Sequence, residues 1–205
     1  MLFEQILAKL NYRQTEPLQF LNKRLAGLWL IWIGLVIIVG TLLGGEYGIQ
    51  PVIFVVGYAA GMAIIFNSKA LAQRYSLGPA SPFQEKVSNF AIVLMFVLMG
   101  LFSGRSFATL DFRMIWLGAL LATAVHFIPF ALVHGPAMVV MAVPLAVTAV
   151  TGILLPEIPF LYLGLVDGGI KLLFGLALFG RSQEKAAESA GLLPASTTSL
   201  TRSTE

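Results

Sequence analysis

The sequence contains no cysteine and only two histidines among its 205 residues. The absence of cysteine excludes disulfides, thiolate metal sites and cysteine nucleophiles. Two histidines are too few for the histidine-rich clusters that bind metal ions. The sequence therefore predicts no metal site and no bound cofactor.

Charge is also scarce. Charged residues make up 11% of the chain and hydrophobic residues 58%, whereas soluble domains have about 25% and about 45–50%. The mean hydropathy is +0.86, and the apolar residues fall in long blocks. These numbers exclude a soluble enzyme, a nucleic-acid-binding protein and a disordered chain. They indicate a small membrane protein whose main partner is the lipid bilayer.

Six apolar stretches reach or approach the roughly 20 residues that a helix needs to cross the hydrocarbon core. They are Leu25–Gly44, Pro51–Phe66, Val87–Ser103, Met114–Leu132, Ala137–Leu155 and Pro159–Phe179. The second stretch is short, and Pro51 lies where a first helical turn tolerates proline. The sequence predicts an all-α, polytopic membrane helix bundle with six transmembrane helices across residues 25–180.

Basic residues lie mostly on one side of such a bundle. That side holds Lys9, Arg13, Lys23, Arg24, Lys69, Arg74, Lys86, Arg181, Lys185 and Arg202. The opposite side has Arg105 and Arg113. Because cytoplasmic loops carry an excess of lysine and arginine, we expect a protein of the cell membrane with both termini in the cytoplasm.

The two ends of the chain differ in kind. Residues 1–24 are predicted to form a cytoplasmic arm, in which apolar residues recur at helical spacing over Met1–Asn11. That spacing favours an amphipathic helix lying at the membrane interface, and a frayed arm packed on the loops is the alternative. Residues 181–205 are rich in serine, threonine, alanine and glutamate, which is typical of a disordered cytoplasmic tail.

The strongest candidate site is the segment Asp167–Lys171. The midpoint of the last predicted span is Gly169, so both charges lie within about 3 Å of the bilayer centre at 1.5 Å per residue. Their spacing places them on one helical face. Each charge costs about 2.5–3.5 kcal/mol at that depth, so the pair should face the bundle interior, neutralise itself or share a proton. Its role is either substrate or proton coupling, or a structural ion pair that fixes helix packing.

A second candidate is His126, which lies within the fourth predicted span, on the cytoplasmic side of its midpoint. Pro129 removes a helical hydrogen bond just after it and predicts a kink. A titratable imidazole beside a kink could gate or relay protons. The alternative is a buried histidine bonded to a carbonyl or to Thr123. His134 is expected to be a loop residue.

Four glycine pairs match the GxxxG spacing that permits close helix packing in membranes. They are Gly40–Gly44, Gly57–Gly61, Gly100–Gly104 and Gly164–Gly168. With 20 glycines in the chain, such matches arise easily by chance. They support a tight bundle and are compatible with a homo-oligomer without showing one.

Four segments together resemble a family of small six-span bacterial membrane proteins of unknown function. The segments are NKRLAGLW at 22–29, FQEKVSNF at 83–90, HFIPFALVHG at 126–135 and DGGIK at 167–171. The resemblance covers most of residues 22–179 and implies a self-contained bundle. It implies no activity.

The last span is also similar to the last helix of microbial rhodopsins, in DGGIKLLFGLALFGRS at 167–182. In that family a lysine holds retinal as a Schiff base and an aspartate one turn earlier is its counter-ion, which would be the roles of Lys171 and Asp167. The chain departs from the family in having six predicted spans rather than seven. Its preceding span, Ala137–Leu155, also has no aromatic residue to wall a retinal.

The leading functional hypothesis is a small transporter or permease coupled to protons or ions, because transporter sites lie near the bilayer midplane. Asp167 would bind the coupling proton, and Lys171 would set its affinity or bind an anionic group of the substrate. His126 and the kinks at Pro129 and Pro144 would assist gating. The alternative is a non-catalytic assembly or accessory protein, and a retinal-binding protein is a remote one. Too few reactive side chains are present to predict an enzyme.

Overall fold

The computed structural model describes residues 18–189, and all regular structure in that range is helical. Seven α-helices follow one another within residues 18–189. They are α1 (Lys23–Leu42), α2 (Pro51–Gly61), α3 (Lys69–Tyr75), α4 (Pro82–Thr109), α5 (Phe112–His134), α6 (Ala137–Leu154) and α7 (Phe160–Ser189). A short 3₁₀ turn, Gly45–Tyr47, precedes α2, and a π-helical turn, Met62–Phe66, follows it. The predicted all-helical fold is confirmed.

Five of these helices, α1, α4, α5, α6 and the Phe160–Gly180 part of α7, are long and apolar enough to cross a membrane. The remaining candidate is α2 with its π turn, which is followed by α3 after a bend of 65°. This bent pair of helices is a sixth candidate span if its two parts together make one span. The 11 residues of α2 and five of the turn reach about 24 Å, short of the roughly 30 Å core. The described residues therefore hold five helices that could span a membrane, and a sixth candidate that is bent and short.

Several helix ends differ from the predicted spans. The helix α4 begins five residues before the predicted start because Ser81 and Gln84 form a capping box around Pro82. Its 28 residues extend for about 42 Å, longer than the hydrocarbon core. At the other end of the chain, α7 continues through Ser189, past the boundary at 181 where a disordered tail was expected. Alanine, glutamate, glutamine and lysine in 182–189 favour helix.

The parts of the two end predictions that fall on residues 1–17 and 190–205 lie outside the described residues. The amphipathic segment Met1–Asn11 is one of them. Residues 18–22 lie against the N-terminal end of α4 and the C-terminal end of α5. There the Gln84 amide donates to the carbonyl oxygens of Gln19, at 2.9 Å, and Leu132, at 3.2 Å.

The first and last helices, α1 and α7, run antiparallel and pack backbone against backbone. A Cβ atom added to Gly34 would lie 2.8 Å from the Gly168 carbonyl oxygen, and one added to Gly27 would lie 2.8 Å from the Gly175 carbonyl oxygen. A Cβ added at Gly164 would lie 2.4 Å from Thr41 Oγ1. Only glycine allows this separation, so small residues at three levels hold α1 and α7 together.

A second close helix pair is formed by α4 and α5, which contact each other at Ser103 and Gly118. The Ser103 hydroxyl donates to the Ile115 carbonyl oxygen at 2.8 Å, and a Cβ on Gly118 would lie 2.8 Å from the backbone of Phe102. Between these two helix pairs lies the central cluster. Its buried members are Ala26, Leu30, Ala124, Phe127, Met138, Met141, Ala142, Leu145 and Leu178.

Of the four GxxxG matches, Gly164–Gly168 lies in the α1–α7 contact. Gly57 and Gly61 face the side chains of Val36 and Trp32, whereas Gly100 and Gly104 have no heavy atom within 4 Å of an added Cβ. In Gly40–Gly44, an added Cβ would meet the Ile49 side chain at Gly40 and the Gly48 backbone at Gly44. The motif therefore marks one of the contacts between α1 and α7, whereas Gly27 and Gly34 are seven residues apart, a spacing that the motif does not describe.

Arg113, at the start of α5, ties down the turn between α6 and α7. Its guanidinium donates to the Ile158 carbonyl at 2.8 Å, the Gly152 carbonyl at 2.9 Å and the Leu155 carbonyl at 3.3 Å. Two of these carbonyls lie at the C-terminal end of α6, where a positive charge is favourable. A residue that sequence alone places in an external loop is thus a clamp on α6.

We expect Arg113→Met to lower the free energy of unfolding by about 1.5–3 kcal/mol, the usual contribution of hydrogen bonds to a charged group. Thermal unfolding of purified protein in detergent measures the change. The matched control is Arg105→Met, because Arg105 is exposed on the same side of the bundle. Equal stability of the two variants would show that the clamp contributes nothing.

Candidate functional site

The Asp167–Lys171 pair lies in the middle of the membrane-spanning part of α7, and both side chains are buried. The exposed fraction is 0% for Asp167 and 1% for Lys171. The Lys171 ammonium donates to Asp167 Oδ2 across one turn of the helix. The expectation that the two charges face the bundle interior and neutralise each other is what the structure shows.

The pair lies on the stripe of α7 that faces α5 and α6. Leu163 lies one turn before Asp167 and contacts α6 at Gly152, where Leu117 of α5 also makes contact. A Cβ added to Gly152 would lie 2.5 Å from Leu163 and 2.6 Å from Leu117. Leu178, two turns after Lys171, is buried in the central cluster with residues of α5 and α6. The glycine face that contacts α1 lies beside this stripe, since a Cβ added to Gly27 would also lie 3.3 Å from the Leu178 Cβ. The pair therefore lies at the seam between the α1–α7 unit and the α5–α6 unit.

Each member of the pair has unused hydrogen-bonding capacity. Asp167 Oδ1 is a buried oxygen with no hydrogen-bond partner among the described residues. The Lys171 ammonium has three N–H groups, and its recorded hydrogen bond within residues 18–180 is the one to Asp167. An unsatisfied buried polar atom costs about 1–3 kcal/mol. The site can therefore form further hydrogen bonds to a partner, with Asp167 Oδ1 as an acceptor and the Lys171 ammonium as a donor.

His126 of α5 lies at the same depth as Lys171. Leu117 of α5 and Leu163 of α7 lie at the same level, and the two helices run in the same direction. His126 follows Leu117 by nine residues, and Lys171 follows Leu163 by eight. His126 is 8% exposed, and its Nδ1–H donates to the Thr123 carbonyl oxygen. With Nδ1 as the donor, Nε2 of the neutral ring is an acceptor.

The structure thus places the three predicted site residues on two helices around one seam. Asp167 and Lys171 are in direct contact, and His126 is within electrostatic range of Lys171. The hydrogen bond to the Thr123 carbonyl agrees with the interpretation of His126 as a buried, bonded histidine, and its role in gating or proton relay stays a prediction. No group of three or more metal-ligating side chains occurs among residues 18–180, whose side chains the structure describes.

His134 is not a loop residue, as the sequence had suggested. It is the last residue of α5, because the helix continues past Pro129 and ends only at Gly135, whose φ is +101°. Its ring stacks on Phe130 with centroids 5.3 Å apart. Its Nδ1 is buried and without a hydrogen-bond partner in the described part of the chain. A signal was present in the eight-residue spacing from His126, which puts both rings on one face of a helix.

Comparison with known proteins adds one relationship. The sequence model of the family described as a family of unknown function, DUF6609, matches residues 13–188. The chain belongs to the DUF6609 family. The matched range takes in α1–α6 and all but the last residue of α7. Curated proteins and solved structures gave no match.

Membership of DUF6609 confirms the resemblance to an uncharacterised family, and the helices confirm its membrane character. The family description assigns no activity, so the chemistry of the site has to carry the functional argument. The bacterial origin and the similarity of α7 to the last helix of microbial rhodopsins stay predictions.

Proposed function

We propose that this DUF6609 protein is a small proton-coupled membrane transporter in which Asp167 binds the coupled proton. The observation that carries the proposal is the fully buried Asp167–Lys171 pair with one carboxylate oxygen left without a partner. A carboxylate oxygen accepts hydrogen bonds or binds cations. In a fully buried position the proton is the cation that needs the least space.

The energetic cost of the pair supports a functional role over a purely structural one. Buried ion pairs are often no more stabilising than apolar residues of similar volume. Glycine contacts between α1 and α7, and leucine and alanine in the central cluster, already supply packing. A charge pair adds little stability to such a bundle, so its presence is better explained by chemistry.

The position at a seam provides the second requirement of a transporter. Protonation of Asp167 would remove the partner of Lys171 and leave a single positive charge between α7 and α5. That charge favours a different arrangement of the two units, or a small anionic group of a substrate beside Lys171. A two-state element biased by proton binding is what coupled transport needs. His126 would sense the same change of charge.

The test is proton flux into proteoliposomes that enclose a pH-sensitive dye and experience an imposed pH gradient. We expect Asp167→Asn to reduce the flux to the level of empty liposomes, because the amide cannot take up a proton. Glu46→Gln is the matched control, since Glu46 is an exposed acid in the turn before α2. Equal flux from native protein and Asp167→Asn would exclude the proposal.

The competing proposal is a non-catalytic assembly or accessory protein, and the direct ion pair that Lys171 forms with Asp167 Oδ2 favours it. In that case Asp167→Asn combined with Lys171→Gln impairs folding without removing a separable activity.

We also propose, from the basic residues, that the protein lies in the cell membrane with both termini in the cytoplasm. A protease-protected fragment pattern of the opposite orientation would contradict the second part. We propose no enzymatic activity.

A further inference from the structure

Three aromatic rings follow one another along α5 between the buried pair and the cytoplasmic end of the bundle. His126, Phe130 and His134 are spaced by four residues and lie on one stripe of the helix. Phe130 contacts His126 edge to face at 5.2 Å and is stacked on His134 at 5.3 Å. One phenyl ring therefore separates two imidazoles that are about 12 Å apart along the helix axis.

Phe130 also lies between two apolar clusters. It packs against the central cluster, which contains Phe127, Met138 and Leu178. It packs equally against a cytoplasmic cluster of Phe83, Val87 and Val133. The Phe130 ring therefore lies between the level that His126 and Lys171 share and the C-terminal end of α5.

Polar groups flank this ring on both sides. Above it, His126 is held by the Thr123 carbonyl, and the Val125 carbonyl has lost its helical donor because residue 129 is proline. Below it, the buried Nδ1 of His134 has no hydrogen-bond partner among the described residues. Polar atoms that lack partners are the atoms that a chain of water molecules would bond to.

We propose that the cytoplasmic access route to the Asp167–Lys171 pair runs along the His126–Phe130–His134 face of α5, with Phe130 as its gate. The inference rests on the proposed function, because it assigns to that site the side from which protons enter or leave. His134 is the port residue at the cytoplasmic end, and His126 is the last titratable group before the pair. Two charged groups face the route from other helices, namely Lys171 of α7 at the inner end and Lys23, beside Gly135, at the outer end.

Thiol labelling tests the route without any transport assay, and the native chain has no cysteine to remove. His134→Cys and His126→Cys are labelled with a charged, membrane-impermeant thiol reagent in vesicles of known orientation. We expect His134→Cys to react from the cytoplasmic side and His126→Cys to react slowly from that side. The control is Ile128→Cys, since that residue is 52% exposed on the outer surface of the same helix.

Opening the gate is the decisive comparison. A minor open state is typically populated at about 0.1–10%, so Phe130→Ala should raise the labelling rate of His126→Cys about tenfold or more. The rate at Ile128→Cys should stay unchanged. Phe130→Leu, which keeps an apolar side chain, serves in place of Phe130→Ala if the latter does not yield a monodisperse protein. Labelling of His126→Cys from the external side, or a rate that neither gate variant changes, would overturn the route.

The proposed function and the route fail in different ways. If Asp167→Asn abolishes proton flux but the gate variants leave labelling unchanged, the route is wrong and the transporter stands. If the gate variants accelerate labelling and Asp167→Asn leaves flux unchanged, the cytoplasmic opening exists but does not serve proton coupling, and the route as proposed here is rejected.

Discussion

Replacing Lys171 by methionine is expected to lower the free energy of unfolding by about 3–5 kcal/mol, the cost of leaving a buried charge without its partner. Asp167 has no exposed surface, and its Oδ1 already lacks a hydrogen-bond partner within the described residues. Removing the ammonium leaves the whole carboxylate unpaired in the bundle. The carboxylate must then ionise at this cost, take up a proton or draw water into the seam.

The double variant Asp167→Asn with Lys171→Met is expected to regain most of that loss. Neither side chain is then charged, and replacing both partners of a buried pair is often close to neutral. Unfolding of the four proteins of the cycle in detergent, by heat or by a denaturing detergent, gives the coupling energy. A double variant no more stable than Lys171→Met would mean that the loss comes from packing rather than from the unpaired charge.

The same four proteins also separate the two functional proposals. An accessory protein whose pair is structural should differ from the native protein in stability alone. A transporter should regain stability in the double variant while its proton flux stays absent. Stability and flux are therefore to be measured on the same preparations.

The second large effect is expected at Gly34, where valine should cost at least the roughly 1–3 kcal/mol typical of overpacking. The added Cβ would lie 2.8 Å from the Gly168 carbonyl oxygen and 3.0 Å from the Leu172 backbone nitrogen. Both are backbone atoms of α7, so no side chain can turn aside to make room. The helices α1 and α7 must separate, and the pair on α7 moves with them.

Gly34→Ala is the smaller version of this change, and Gly100→Ala is its matched control. An added Cβ at Gly100 meets no heavy atom within 4 Å. Alanine there should be neutral or stabilise the helix by up to about 1 kcal/mol, its propensity advantage over glycine. The two glycine-to-alanine changes are thus expected to have opposite signs. Equal effects would show that α1 and α7 do not pack in this register.

Local patterns in the sequence identified the spans and the pair. Asp167 and Lys171 could be recognised because a charge in the middle of an apolar run is conspicuous without any knowledge of neighbours. The broken second span was harder to predict, since hydropathy measures composition along a stretch and not its direction. The bend of 65° after Phe66 lies between two segments that would each pass as helix.

The residues that sequence reasoning missed are those whose role depends on a distant partner. Gln84 stands among charged residues at a loop boundary, yet its amide is buried between Gln19 and Leu132. Arg113 looks like an external loop cation and clamps carbonyls some 40 residues away. Pairings of this kind depend on which helices are adjacent, and no local pattern states that.

The contact between α1 and α7 joins the first and last spans to be synthesised. During translation α1 enters the membrane without the backbone surface it will pack against, because domains form as the chain emerges from its N-terminal end. The span α7 arrives last, carries both intramembrane charges and is the least apolar of the five long spans. The glycine surface of α1 is then already in place to receive it. Assembly of the bundle therefore ends with the insertion of α7, the helix whose transfer into the membrane is least favourable. Until that step α5 and α6 lack the helix that packs against them at the seam.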